Sequence, residues 1–395
     1  MRKYERSHPW LRFQLDLQRA TPQFWLLLGE AQSKSQHVVG TPLVPAVQRS
    51  FQLIYLAKGV RATTAIEGNT LTEAQVEAHL RHKLRLPPSQ RYLQQEIENV
   101  VGACNEVVEA VLRGERTSLA LADILDFNRR VLDRLPPQED VSPGRVREHE
   151  VVVSRYPGAP PQDCEYLLQR LCTWLNEQFT APAGHEIAFG ILKAVVAHLY
   201  IAWIHPFGDG NGRTARLIEF QLLISAGVPT TAAHLLSNHY NQTREEYYRQ
   251  LDLAHRSHGD ALPFLEYAVR GFIDGLREQI HRLREQQIDV CWRDYVHSRF
   301  QGRRKDADKR KRDLALAIST MEGGVPIERL SQLTPDVAAL YARKSHKTLL
   351  RDLKELAEME LIEASDRAVR ARKETMRAFM SRVAPPSSAA AVEEG

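Results

Sequence analysis

Apolar residues recur at three- and four-residue spacing through most of the chain, the pattern of amphipathic helices. In QQEIENVVGACNEVVEAVLRG the apolar set is Ile97, Val100, Val101, Cys104, Val107, Val108 and Val111. ADILDFNRRVLDRL, EYLLQRLCTWLNEQF and HEIAFGILKAVVAHLYIAW carry the same periodicity, so the fold is predicted to be mainly α. One strand signal stands out: EHEVVVSRYPGAPP places three β-branched residues in a row before a Pro/Gly-rich stop. A lone hairpin is too small to be an independent sheet. It is predicted to be a flap lying over a site.

Pro/Gly clusters at 86–90, 135–144 and 157–161 punctuate the first two-thirds of the chain. From QGRRKDADKRKRD (301–313) the character changes to a charge-dense hinge. Beyond it the pattern predicts a helix at LALAISTM, a short helix near IERLSQL and one longer helix over DVAALYARKSHKTLLRDLKELAEME. LIEASDRAVRARKETMRAF then reads as two short strands around a polar turn. That order resembles a winged helix-turn-helix. The predicted divisions are a helical region at 1–115, a domain holding the chemistry at 116–300, the winged helix at 301–383 and a disordered tail at 384–395.

Composition narrows the setting. The N-terminus lacks an apolar h-region, so no secretion signal is expected. No apolar run is expected to reach the roughly 18–20 residues of a bilayer span, because Lys193 and His198 interrupt the longest candidate. Four cysteines without CxxC pairing argue against a disulfide framework or zinc site, and a cytoplasmic location is expected. Charge is uneven: residues 301–383 hold 19 Lys and Arg against 13 Asp and Glu, while the whole chain is only +4.

The densest chemistry lies in HPFGDGNGRTAR (205–216), directly after an apolar helical run. Gly210, Asn211 and Gly212 can bring backbone N–H groups close to a ligand, at the positive end of the helix that follows. Arg213 and Arg216 are three apart and share its first turns, with a guanidinium fork suited to phosphate. Asp209 is a natural ligand for Mg²⁺ beside phosphate. His205 can accept a proton near neutral pH. An EF-hand loop begun at Asp209 fails, because Thr214 occupies the sixth position and Phe220 the twelfth. No Walker A, kinase glycine loop or HExxH pattern occurs.

These twelve residues resemble the signature of the Fic family, HxFx(D/E)GNGRxxR, at every fixed position, and the resemblance spans roughly 60–275. It implies a helical Fic core at 116–300 that transfers AMP from ATP to a Ser, Thr or Tyr hydroxyl of a protein, releasing pyrophosphate. By that resemblance His205 deprotonates the hydroxyl and Asp209 holds Mg²⁺. Asn211 with the Gly210 and Gly212 backbone cradles charge, and Arg213 and Arg216 bind phosphates. Phe207 is the buried wedge. Tyr248 and Leu251 are implied to flank the adenine, and His255 stands where close relatives carry asparagine. Val152 and Val153 on the flap are implied to orient the target chain by strand pairing.

TTAIEGN (63–69) alone is an ordinary helix end. Beside a Fic signature it resembles the inhibitory motif (S/T)xxxE(G/N), with Thr63, Glu67 and Gly68 in place, N-terminal to the core as in the class II arrangement. The implied device is a Glu67 carboxylate occupying the Arg216 guanidinium that the γ-phosphate needs. The expectation is therefore an autoinhibited protein adenylyltransferase using ATP and Mg²⁺. An AMP-removing hydrolase on the same site, and a DNA-binding regulator with a nucleotide-sensing Fic domain, are the alternatives. In the C-terminal segment Ser345, Lys347, Thr348 and Arg351 are placed on the exposed side of a recognition helix, with Leu349, Leu350, Leu353 and Leu356 as its apolar face. DNA, another protein or a second copy of the chain are its candidate partners.

Overall fold

The computed structural model describes residues 2–115, 118–153, 156–321, 323–365 and 367–376, with the side chain of Val153 outside that set. The expected tail at 384–395 lies outside the described residues. The chain divides into two compact units, Met1–His281 and Arg282–Gly395. The fold is mainly α, as the periodicity predicts.

The first unit is built on two consecutive buried helices, Glu186–Ile204 and Asn211–Ser225. The first of them is apolar on nearly every face, so it must be enclosed by protein on all sides. Contrary to the sequence expectation, it is 19 residues long and apolar enough to cross a membrane by length and composition, and 83% of that stretch is buried inside the protein. Lys193 and His198 do not break it: His198 is buried against Tyr247, and Lys193 sits half-buried. Helices Pro45–Ala65, Arg91–Leu112 and Leu121–Val131 pack against Asn211–Ser225. The residues before position 115 thus contribute Phe24, Val60, Ile66, Val76, Ile97 and Val107 to one continuous core with the motif helices. They form no separate region. The expected flap is a two-stranded antiparallel hairpin, Val152–Val153 paired with Tyr156–Pro157.

In the second unit Trp292, Val296 and Phe300 bury with Leu314, Leu330 and Leu356. That packing moves the boundary from the expected 300/301 to within helix Leu262–Arg299, whose unbroken periodicity hid it. The expected single helix after IERLSQL is two, Pro335–Tyr341 and His346–Glu358, with Ser345 in extended conformation at the second N-cap. Serine before an apolar-periodic run is a start signal that the continuous pattern masked. Three strands rather than two follow the order Val325–Pro326, Ala368–Ala371, Ile362–Ala364, all antiparallel. Lys347 and Arg351 are exposed and Leu349, Leu353 and Leu356 buried, but Leu350 is 44% exposed and leaves the apolar face. Arg310 forms a bidentate pair with Asp352 at 2.8 and 3.2 Å, and Tyr341 donates to the same carboxylate at 2.8 Å.

Candidate active site

The loop between the two buried helices carries the chemistry. His205 takes left-handed backbone (φ 49°) one residue past the helix end, while its N–H still donates to the Ile201 carbonyl at 2.8 Å. Gly210 opens the next helix at φ 78°, and a β-carbon there would stand 2.9 Å from Asn128 Nδ2. Glycine is thus required both for the dihedral and for the space. Phe207 is buried at 1% exposure, the expected wedge. Asn211 commits its side chain to the loop itself: Oδ1 accepts from the Phe207 N–H at 2.9 Å and Nδ2 donates to the Phe207 carbonyl at 2.8 Å. Its expected place in the cradle is left to its backbone N–H, one of the donors that a helix start leaves unpaired.

Two buried side chains that the sequence did not flag hold this loop. Asn128 donates to the Asp209 carbonyl at 2.8 Å and accepts from the Gly144 N–H at 2.9 Å. Arg147 is 4% exposed and donates to the carbonyls of His205 (2.7 Å), His149 (2.5 Å), Ala159 (2.5 Å) and Ile204 (3.4 Å). One guanidinium thereby ties the flap to the C-terminal end of the core helix, where carbonyl charge favours a cation. Arg147→Met is expected to destabilise the protein by about 2–4 kcal/mol, since several charge-assisted bonds vanish and carbonyls stay buried. Denaturant unfolding checks this, and Arg147→Lys should recover little because one ammonium cannot span these acceptors.

His205 is half-buried, and its Nδ1, shielded from solvent, has no hydrogen-bond partner. Burial, helped by the nearby Arg147 charge, lowers its pKa to about 4. The ring is therefore neutral, in the base form, through the physiological range. Asp209 accepts from the Gly210 N–H at 2.6 Å, from Gln138 Nε2 at 3.1 Å and from Arg213 Nη2 at 3.2 Å, with its side chain 28% exposed. Among the described residues no cluster of three or more His, Cys, Asp or Glu could cage a metal. A single partly exposed carboxylate beside an anion site still fits Mg²⁺, which keeps its waters and draws other ligands from phosphate.

Both arginines are buried and already engaged. Arg213 Nη1 donates to Glu96 Oε1 at 2.8 Å. Glu96 was not singled out in the sequence, and it also accepts from Asn69 Nδ2 at 2.8 Å. Burial pushes the Glu96 carboxyl above its usual pKa against the opposing pull of Arg213. Arg216 Nη2 donates to Glu67 Oε1 at 2.5 Å and to the Thr63 carbonyl at 3.0 Å, while its Nε and Nη1 have no partner. The two ends of this ion pair are 149 residues apart in sequence. For Glu67, burial raises the pKa, but Arg216 outweighs it and holds the carboxyl below its ordinary value. A β-carbon on Gly212 would overlap Glu67 Oε1, so this close approach also needs glycine.

Glu67 lines two cavities. One, of about 540 Å³, is lined by Asp209, Arg213, Glu96 and Gln138. The other, of about 180 Å³, is lined by His205, Gly212, Tyr248, Leu251 and Tyr156. Tyr248 is 43% exposed on this wall and Leu251 buried within it; Tyr247 also lines the cavity, but is buried and its hydroxyl lies 2.8 Å from His198 Nε2. Tyr156, another residue sequence reasoning missed, stacks on His255 with ring centroids 4.1 Å apart. The Tyr156 hydroxyl and His255 Nδ1 are buried without partners. Val152 on the flap edge is 73% exposed, and the side chain of Val153 lies outside the described set.

In sequence and in fold the chain is similar to Fic proteins. Residues 118–223 match the Fic/DOC family model. The chain is 32% identical over 208 residues to the protein adenylyltransferase fic-1 of Caenorhabditis elegans, covering 53% of this chain and 38% of that one. It is 32% identical over 230 residues to the protein adenylyltransferase Fic of Nematostella vectensis, covering 58% and 48%. The chain thus spans less than half the length of these curated relatives. In fold it is similar to a Fic family protein from Desulfovibrio desulfuricans G20, with a TM-score of 0.54 at 22% identity over 91% of this chain and 98% of that one. The Fic-1 fragment (residues 134–508) from C. elegans gives a TM-score of 0.53 at 27% identity, over 67% and 73%.

Proposed function

We propose that the Fic domain of this chain is a protein adenylyltransferase restrained by its own Glu67. The observation that carries the reading is one helix start at which a neutral, half-buried imidazole, a carboxylate and two arginines converge. Such a site suits phosphoryl chemistry, where positioning and charge stabilisation supply most of the rate. His205 takes the proton from a Ser, Thr or Tyr hydroxyl. The oxygen–phosphorus bond to the α-phosphate forms as the α–β bridge breaks, and pyrophosphate leaves. Arg213 and Arg216 hold the phosphate chain, and the N–H groups at the helix start orient it. Asp209 would hold Mg²⁺, which supplies neutralisation of phosphate charge. The exposed flap edge at Val152 offers strand pairing to the target, and Tyr248 and Leu251 flank the base.

Curated relatives named protein adenylyltransferases support this reading over the alternatives. The test incubates the purified protein with ATP labelled at the α- or the γ-phosphate and follows label on the chain. Label is expected from the α position alone, with mass spectrometry placing an adenylyl group on a hydroxyl side chain. Label from the γ position, or none even after Glu67 is removed, would overturn it.

A further inference from the structure

Glu67 reaches Arg216 from a short loop after helix Pro45–Ala65, and something must hold that loop in place. Asn69, two residues on and 6% exposed, is its anchor point. Its Oδ1 accepts from the Leu71 N–H at 3.0 Å, and its Nδ2 donates to the Leu93 carbonyl at 2.9 Å and to Glu96 Oε2 at 2.8 Å. The other Glu96 oxygen receives Arg213 Nη1 at 2.8 Å. A single carboxylate thus joins the Glu67 loop to Arg213, the first arginine of the motif. Its side chain is 14% exposed and that of Arg213 5%, so water competes little for either bond.

We propose that Glu96 is a positioning residue with two duties: it fixes the Arg213 guanidinium through one oxygen and latches the Glu67 loop through Asn69 with the other. The proposal rests on the adenylyltransferase reading for its effect on catalysis, but the latch itself has a signature independent of activity. Both partners of Glu96 are donors, and glutamine offers only one acceptor oxygen. Glu96→Gln must therefore face one donor with its own N–H₂. The charged Arg213 keeps the oxygen, so the Asn69 contact is the one lost. Asn69→Ala removes the same contact together with the bonds to Leu71 and Leu93, while leaving Glu96 and Arg213 paired.

Hydrogen–deuterium exchange and auto-labelling with α-labelled ATP test this on the full chain. In Glu96→Gln the amides of residues 66–71 are expected to exchange about 10-fold faster than in the wild type, the worth of one buried hydrogen bond, and in Asn69→Ala faster still, since its bonds to Leu71 and Leu93 go as well. The second unit should exchange unchanged, which a general loss of stability would not allow. Auto-labelling should rise by a similar factor, and neither substitution should raise it further once Glu67 is glycine. Unchanged exchange at 66–71 in Glu96→Gln would overturn the latch, as would an equal rise in labelling in the Glu67→Gly background. Faster exchange with no labelling in any variant would instead keep the latch and sink the adenylyltransferase reading.

Discussion

His205→Ala is expected to cut adenylyl transfer by about 10²–10⁴-fold, the usual worth of a positioned general base, while nucleotide binding persists. On the proposed reading the phosphates are held by the helix start and by Arg213 and Arg216, whose guanidinium bonds run to Glu96, Asp209, Thr63 and Glu67 rather than to the imidazole. Position 205 has positive φ, where alanine carries strain and asparagine less. His205→Asn therefore serves as the companion variant: it keeps the loop and should be equally inactive. The pH profile adds an independent check. Because burial and Arg147 depress the His205 pKa to about 4, the base form is present above that value and lost as pH falls through it. The acid limb of kcat/KM assigned to this ring should lie well below the value of about 6.5 for a free imidazole. An acid limb near neutrality, or undiminished transfer by both variants, would contradict the assignment.

Glu67→Gly is expected to raise auto-labelling by about one to two decades, the equivalent of a charge-assisted bond worth about 1.5–3 kcal/mol. The protein should tolerate the change. Arg216 keeps the Thr63 carbonyl, and the buried Glu219 still acts on its charge. Mild acid should not imitate the substitution. The Glu67 pKa is depressed below its ordinary 4.5, so the carboxylate and its pairing persist above that region and fade only as pH drops beneath it. Labelling measured on wild type and variant at matched ATP decides the point, and equal activity in the two would remove the restraint from the account.

The parts of the site that the sequence exposed are those whose chemistry is contiguous. His205, Asp209, Gly212, Arg213 and Arg216 must share one loop and one helix start, so they fall within twelve residues. Glu67 was legible because its motif is compact, although its partner is distant. Arg147 and Asn128 were not, since their partners are backbone groups, and a backbone group leaves no mark on residue identity. Glu96 sits on a helix with alternating polar and apolar positions, where any one glutamate reads as solvated surface. Tyr156 acquires its meaning only when the flap folds over His255. In the fold, the helical class followed from periodicity. The unit boundary did not, because helix Leu262–Arg299 passes through it unbroken and the buried face alone distinguishes Trp292 and Val296.

Gly212 has a wider consequence. The missing side chain reserves a seat that one anionic oxygen can fill, and here the Glu67 carboxylate fills it. On the proposed reading the restraint is a tethered competitor, and its strength is an effective concentration set by the loop that carries it. It is graded: a longer or looser tether, or more nucleotide, shifts occupancy without any new contact.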